Sequence, residues 1–510
     1  MPPSGAHPGH CLCICFPSLP FSDMSRPFSR PRAELPSIIQ GGMGIGVSNW
    51  KLARQVARRG EIGVISGTGI DAVVVRELQD GDPHGRRTVL RDYPDADIAE
   101  HLIDEYYRPE GRPEDDAYDL LPMHRFQPTE KSQRVLAAAT YTEVRLAKEG
   151  HDGLVGMNLL AKLKRYTLPC LYGALLAEVD MVSIGAGIPL EEARQLRKLA
   201  DGEPAELRLD VDTRQADDEA VADADFAIEF DPSIVVDDPP DVAPPAFFPI
   251  VSSDVLARIM DAKLPDAAVD GWVVERPVAG GHNAPPRNKN YDEDGHPIYD
   301  ERDEADLEAV RDLGKPFYLA GGFGSPEGLK RAREFGADGI QVGSLFSLTR
   351  ESGYPEDVTR RLIRGLHAGD IDVQTHGRVS STGFPFKVLS ADNTLADDEV
   401  YDDRPRVCDL GYLREPYVDG QGRLLGRCPA EPVQTYVSRG GDREETEGRA
   451  CLCNALLANI GLAQQRGGQS EPPLFTGGEA LENLPLGSVD EPSYDVDDVL
   501  AYLYGENPSA

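Results

Sequence analysis

Basic residues, long apolar runs and cysteines are all scarce in this chain of 510 residues. Its 52 Lys and Arg stand against 87 Asp and Glu, so the formal net charge is −35. A chain with this excess of negative charge is poorly suited to neutralise a run of phosphates, and an anionic lipid surface would repel it. No apolar run approaches the roughly 18–20 residues of a transmembrane helix. We therefore expect a globular protein with no nucleic-acid partner and no membrane partner.

The eight cysteines are clustered, which does not indicate the disulfide framework of a secreted protein. We therefore expect a cytoplasmic location. The excess of acidic residues has two interpretations. It either keeps the protein in solution, or it reflects a high-salt cell interior in which screening tolerates dense like charge. The segment 210–241 is rich in Asp and has no Lys, which fits the second interpretation.

Composition divides the chain into three parts. Residues 1–35 are Pro-rich and predict a disordered N-terminal tail. Residues 36–390 predict one α/β domain with insertions at about 81–130 and 201–245, where acidic and Pro-rich stretches interrupt the regular pattern. Residues 391–510 predict a C-terminal extension that packs on this domain.

Short apolar runs alternate with helical patterns from residue 36 to residue 346. Continuous apolar runs of this length are typical of strands buried on both faces, as in a parallel sheet. Eight of them predict a (β/α)8 TIM barrel, and an open doubly wound sheet is the alternative. The runs are 37–40, 62–66, 154–158, 181–184, 247–251, 272–275, 317–320 and 340–342.

Glycines follow several predicted strands, and two of these strand ends suggest an anion site. One is Gly321-Gly322 after the seventh strand, and the other is Gly343-Ser344 after the eighth. Ser325 predicts a helix cap with Pro326 at the first helical position, so free N–H groups point toward the same edge. In (β/α)8 barrels, the loops after strands seven and eight commonly bind phosphate. The alternative is a pair of tight turns without a ligand.

A histidine follows the sixth strand, in the motif Gly280-Gly281-His282. An imidazole at the carboxyl edge of the strands, after two glycines that leave room for a planar ligand, is suited to proton transfer near neutral pH. The alternative is a loop histidine bonded to backbone, and His376 is a second candidate for this edge. Another glycine-rich turn, Gly42-Met43-Gly44, follows the first strand, where methionine suits the face of an aromatic ring.

These motifs together resemble the nitronate monooxygenase family, formerly called 2-nitropropane dioxygenases, and the related FMN-dependent enoyl-acyl-carrier-protein reductases. The similarity runs from about residue 36 to residue 346. It implies a TIM barrel with FMN across the carboxyl ends of the strands. It rests on the motifs Gln40–Met43, Gly156–Asn158, Ala279–His282, Ala320–Phe323 and Gln341–Ser344.

The resemblance also implies roles for single residues. His282 becomes the counterpart of the family's catalytic histidine. The FMN phosphate is expected at Gly321, Gly322, Gly343 and Ser344, which agrees with the anion site inferred above. The other expected cofactor contacts are Gly42, Met43 and Gly44 against the flavin, together with Asn158, Gly280 and Gly281.

Two activities follow from this resemblance. The first is FMN-dependent oxidation of small nitronates or nitroalkanes by O2 to a carbonyl compound and nitrite. His282 would stabilise the anion or remove the α-proton of a neutral nitroalkane. The second is an enoyl-thioester reductase that passes hydride from NAD(P)H through FMN. A non-catalytic flavin- or metal-binding scaffold is a third hypothesis, and a homo-oligomer is a possible form of each.

Four cysteines in the C-terminal part could form a metal site: Cys408, Cys428, Cys451 and Cys453. Four cysteines in a cytosolic protein are the number that a structural Zn²⁺ or an iron–sulfur cluster requires. Cys451 and Cys453 are close enough in sequence to share one ion. The usual pairs with two to four intervening residues are missing, so buried or unpaired thiols are the alternative.

Overall fold

The computed structural model describes residues 32–216, 226–264 and 268–506. The tail predicted at residues 1–35 therefore lies almost entirely outside the described residues, and its last part holds a short 3-10 turn at Arg32–Glu34. Within the described ranges, no helix is long and apolar enough to cross a membrane.

All eight predicted strands are present, and the fifth is interrupted. Pro249 divides it into two short strands, because proline lacks the N–H that a continuous strand ladder needs. The strands of this part are β1 Ile38–Gln40, β2 Gly63–Ser66, β3 Val155–Leu160, β4 Met181–Gly185, β5 Ala205–Arg208, β6 Ala227–Phe230, β7 Ala246–Phe247, β8 Ile250–Val251, β9 Trp272–Glu275, β10 Phe317–Ala320 and β11 Gly339–Val342.

The parallel strands form two sheets that are joined at both ends. One sheet has the order β1-β11-β10-β9-β8, and the other has the order β2-β3-β4-β7. At one junction, Ile39 of β1 bridges Ile62, and the Gln40 N–H donates to the Ile62 carbonyl at 2.9 Å. At the other junction, the chain passes directly from β7, beside β4, to β8, beside β9. The protein is therefore an α/β protein with parallel sheets.

Ten buried side chains from these strands, or from residues next to them, form a hydrophobic cluster of their own. A larger cluster packs the strands against the helices. Because the strands are buried on both faces, they read as continuous apolar runs in the sequence. The ten residues are Ile39, Ile62, Val64, Leu154, Met181, Ala246, Phe248, Val273, Tyr318 and Ala320.

Helices connect the strands, and some of their ends follow local sequence signals. The Ser253 hydroxyl caps the helix Asp254–Lys263 by accepting from the Leu256 N–H at 3.1 Å. The predicted cap Ser325 accepts from the Gly328 N–H at 2.9 Å at the start of the helix Pro326–Glu334. The described α-helices are Trp50–Arg58, Ile70–Gln79, Arg86–Leu90, Ala96–Tyr106, Glu130–Lys148, Lys164–Leu176, Leu190–Ala200, Asp254–Lys263, Leu307–Arg311, Pro326–Glu334, Ser344–Ser347, Glu356–Ala368, Asp398–Asp403, Val433–Ser438, Leu452–Asn459 and Val496–Leu503.

The two segments expected as insertions have secondary structure of their own. Residues 81–130 include two of the helices above, and residues 201–245 include the antiparallel pair β5–β6. Residues 217–225, within the second segment, lie outside the described residues.

After β11, the described residues form three antiparallel hairpins and further helices, and the first of these hairpins lies before residue 391. The C-terminal part contacts the carboxyl ends of the parallel strands. The Tyr494 hydroxyl donates to the Leu345 carbonyl at 2.8 Å, and the Gly478 N–H donates to the Ser344 Oγ at 2.7 Å. The strands of the three hairpins are β12 Val373–His376, β13 Phe386–Leu389, β14 Glu415–Val418, β15 Leu424–Arg427, β16 Gln465–Arg466 and β17 Gln469–Ser470.

Candidate active site

A cavity of about 200 Å³ lies at the carboxyl ends of the parallel strands. This is the end at which parallel α/β proteins bind their ligands. The structure brings together at this cavity all the residues that the sequence predicted for catalysis or flavin binding. They are Gly42, Met43, Gly44, Asn158, Gly280, Gly281, His282, Gly321, Gly322, Gly343 and Ser344.

Ser48 holds the glycine-rich turn after β1. Its hydroxyl accepts from the Met43 N–H and from the Gln40 side-chain amide, both at 2.9 Å, and donates to the Gly41 carbonyl at 2.9 Å. The Gln40 Oε1 in turn accepts from the Val64 N–H on β2 at 2.9 Å. Because Ser48 is fully buried, water does not compete for these bonds. The turn that presents Met43 to the cavity is therefore fixed by the fold.

Two glycines of the cavity wall are required for space. A Cβ on Gly42 would lie 2.2 Å from the Asn158 Cβ, closer than real side-chain contacts allow. A Cβ on Gly343 would lie 3.3 Å from the Met43 Cγ, which is tight but less severe. The turn after β1 therefore packs directly on β3 and on the end of β11.

The predicted anion site combines bare backbone with a hydroxyl. Gly321 and Gly322 have left-handed φ angles of 81° and 77°, which a side chain would strain. The Ser344 Oγ accepts from the Gly478 N–H, so its own proton is still available to a ligand. In the part of the chain that the structure describes, no Lys or Arg lines the cavity. An anion here would be held by N–H groups and hydroxyls, with the Arg276 guanidinium nearby, because its Nη1 would lie 3.1 Å from a Cβ on Gly322.

His282 faces this cavity and is held by a side-chain hydroxyl. Its Nε2 lies 2.7 Å from the Ser380 Oγ, and its ring packs against Phe386 with 4.8 Å between the ring centroids. Burial and, secondarily, the Lys162 charge lower the pKa of His282 to about 4. The imidazole is therefore neutral near pH 7. The other candidate, His376, does not line the cavity and packs against another histidine ring.

Glu275 is a cavity residue that the sequence reasoning missed. It is the last residue of β9 and lines the same cavity as His282. Burial raises the pKa of Glu275 to about 8, so its carboxyl group is mostly protonated near pH 7 and can donate a hydrogen bond. An acidic residue at the carboxyl end of a predicted strand was the signal that could have identified it.

The C-terminal part contributes a wall of the cavity that no local motif indicated. The Gly281 N–H donates to the Thr476 Oγ1 at 3.1 Å. A Cβ on Gly280 would lie 2.8 Å from the Gly478 nitrogen, so these two backbones are in contact. The glycines before His282 therefore accommodate the protein's own C-terminal segment, in addition to any ligand.

The four C-terminal cysteines do not belong to this cavity. Cys408 is hydrogen-bonded to Cys428, and Cys453 to Cys451, and each bond, together with burial, raises the pKa of the first-named thiol. Among the described residues, no group of three or more His, Cys, Asp or Glu is arranged to hold a metal ion. The predicted zinc or iron–sulfur site therefore has no support, and the structure shows these cysteines as free thiols.

No protein-family model and no curated protein sequence matches this chain. Among solved structures it is similar to FabK from Thermotoga maritima, with 15% identity and a TM-score of 0.45 over 93% of each chain. It is also similar to nitroalkane oxidase from Streptomyces ansochromogenes, with 15% identity and a TM-score of 0.42 over 92% of this chain and 96% of that one. It is similar as well to the enoyl reductase domain of MlnA from Bacillus amyloliquefaciens, with 12% identity and a TM-score of 0.44 over 92% of this chain and 93% of that one. Similarity at this level establishes no function for this chain.

Proposed function

We propose that this chain is an FMN-dependent oxidoreductase that oxidises small nitroalkanes or nitronates with O2 to a carbonyl compound and nitrite. The observation that carries the proposal is the position of His282. Its ring faces a cavity whose walls are the glycine-rich carboxyl ends of parallel strands. The choice of FMN and of nitro compounds rests on the motif resemblance described above.

The proposal treats the parallel strands as one closed (β/α)8 barrel. Two observations support this interpretation. The pairing contacts lead from β1 through β2, β3, β4, the β7–β8 segment, β9, β10 and β11 back to β1. The ten-residue cluster draws its side chains from around this circuit, as the interior of a barrel does. An open doubly wound sheet would leave two unpaired edges.

The cavity residues fit FMN in shape and in hydrogen-bonding groups. The bare backbone at Gly321-Gly322 and the Ser344 hydroxyl suit a phosphate, and the helix capped by Ser325 begins beside them. Met43 and the apolar side chains of the wall suit a planar ring system. When bound, FMN supplies electron transfer, which the side chains of the cavity do not provide.

His282 is the residue that we expect to move a proton. Its neutral imidazole has one ring nitrogen free to accept the acidic α-proton of a nitroalkane. A neutral ring attracts an anionic nitronate less well than an imidazolium would, and no Lys or Arg of the described residues lines the cavity. We therefore favour the neutral nitroalkane over its nitronate as the substrate that binds here.

One observation favours a second candidate function. The lack of cationic residues along the described cavity wall equally suits the uncharged acyl part of an enoyl thioester. An FMN- and NAD(P)H-dependent enoyl-thioester reductase is therefore the alternative. NAD(P)H consumption that requires an enoyl thioester would favour this alternative over oxidation of nitro compounds.

The decisive experiment is anaerobic mixing of the FMN-loaded protein with nitroethane and, separately, with preformed ethyl nitronate. We expect loss of the oxidised-flavin absorbance, followed under air by oxygen uptake and nitrite release. An unchanged flavin spectrum with both compounds, and no oxygen uptake, would contradict the proposed function. Retained FMN without turnover of nitro compounds or enoyl thioesters would instead favour the scaffold hypothesis.

A further inference from the structure

Ser380 is a buried hydroxyl residue in direct contact with His282. Its Oγ lies 2.7 Å from the His282 Nε2, although 98 positions separate the two residues in the sequence. Ser380 is fully buried, so bulk water does not replace its hydroxyl. It lies outside the glycine-rich motifs and before β13, in a part of the chain that no motif marked.

The segment that carries Ser380 is fixed to the loop that carries His282. Phe386 and His282 form an antiparallel bridge, and the Lys387 N–H donates to the Gly281 carbonyl at 3.0 Å. Because backbone hydrogen bonds join the two segments, the distance from Ser380 to the imidazole is set by the fold. A residue held in this way can orient a catalytic side chain.

The hydroxyl of Ser380 also interacts with Thr382. Its Oγ lies 2.8 Å from the Thr382 Oγ1 and accepts from the Thr382 N–H at 3.2 Å. A serine hydroxyl has one proton to donate. When Ser380 donates that proton to Thr382, it accepts a hydrogen bond from His282 Nε2–H. The neutral imidazole then has its lone pair on Nδ1.

We propose that Ser380 is a positioning residue that holds His282 as the Nε2–H tautomer and leaves Nδ1 as the proton acceptor. The catalytic part of this inference rests on the proposed function. The α-proton of the nitroalkane moves to Nδ1, and the electron pair of the broken C–H bond stays on the substrate as its nitronate. The imidazolium then donates through Nε2–H to Ser380, in a charge-assisted hydrogen bond.

A first test observes the tautomer without any substrate. The ¹⁵N chemical shifts of the imidazole in histidine-labelled, FMN-loaded protein identify the protonated nitrogen, and His282→Gln assigns the signal. We expect Nε2–H in the unmodified protein and a mixture of tautomers in Ser380→Ala. The matched control is Ser381→Ala, because Ser381 is also buried but bonds to Cys428. An Nδ1–H tautomer, or a signal that Ser380→Ala leaves unchanged, would overturn the proposal.

A second test separates proton removal from the later steps. For nitroethane oxidation, we expect Ser380→Ala to lower kcat about 100-fold with little change in KM or FMN content. Oxidation of preformed ethyl nitronate, which needs no proton removal, should stay within about twofold of the unmodified protein. Ser380→Thr, which keeps a hydroxyl, should recover much of the nitroethane rate.

Equal losses with nitroethane and ethyl nitronate would show a general structural role and overturn the assignment of Ser380. Failure of the unmodified protein to oxidise either compound would contradict the proposed function instead. The tautomer measurement would then still decide whether Ser380 positions His282.

Discussion

Gly42 packs against the Asn158 side chain so closely that no Cβ fits between them. A Cβ at Gly42 would lie 2.2 Å from the Asn158 Cβ and 2.7 Å from its Cγ. Gly42 belongs to the turn after β1, Asn158 belongs to β3, and both line the cavity. The shape of the candidate flavin site is therefore part of the packing between strands.

Substitution Gly42→Ala should disturb both stability and flavin binding. Because the added methyl group must push β1's turn away from Asn158, we expect a loss of about 1–3 kcal/mol in the free energy of unfolding. FMN content after purification should also fall. Thermal unfolding and flavin absorbance measure the two effects. The control is Gly41→Ala in the same turn, whose Cβ would have its closest contact at an ordinary 3.4 Å. Equal effects of both substitutions would contradict this explanation.

Substitution His282→Ala should abolish proton removal and spare the cofactor. We expect the rate of nitroethane oxidation to fall about 10²–10⁴-fold, the usual contribution of a general base. FMN absorbance should remain, since the fold and the glycine-rich strand ends are intact. His376→Ala is a suitable control, because His376 lies outside the cavity lining. A comparable loss of activity in the control would show that the effect is not specific to His282.

The sequence predicted the strands and the glycine-rich edge well, for a physical reason. Strands buried on both faces must be apolar throughout, so each one leaves a continuous run that ends where the backbone turns. The run 272–275 and the glycines before His282 are examples. Apolar runs and glycine-rich turns can be recognised in a single sequence because they are formed by residues that are adjacent in the chain.

The parts of the site that the sequence did not predict depend on contacts between residues far apart in the chain. Ser380 touches His282, and Gly478 touches Gly280, but no periodicity or motif connects the members of either pair. The fifth strand was predicted as one run because its residues are apolar, and the effect of Pro249 inside it was not anticipated. The cysteines were grouped by their number and by the closeness of Cys451 to Cys453, and among the described residues they do not form a metal site.

Glu275 should make stability depend on pH. Its pKa is about 8 in the folded protein because of burial, above the ordinary value near 4.5. The folded state therefore holds this proton more tightly than the unfolded state, and the stabilisation is lost as the pH rises from about 4.5 to 8. In FMN-free protein, we expect Glu275→Gln to raise the melting temperature progressively across this window, relative to the unmodified chain.

Thermal unfolding at about pH 5, 7 and 8.5 checks this prediction. The control is Glu444→Gln, because Glu444 is exposed in a surface turn. A Glu275→Gln effect that is the same at all three pH values would argue against a protonated carboxyl group in the cavity.

Lys162 should contribute to the acid limit of the reaction by lowering the pKa of His282. Its charge is the second cause, after burial, that lowers the pKa of His282 to about 4. Because the unprotonated imidazole is the base, kcat/KM for nitroethane should fall only as the pH drops below about 4. In Lys162→Met, the lost positive charge should raise the pKa of His282 and move the acid limb to higher pH. Lys164→Met is the matched control, since Lys164 is paired with Glu191 and does not act on His282. If the acid limb stays in place in Lys162→Met, or moves equally in the control, then it does not report a protonation of His282 that depends on the Lys162 charge.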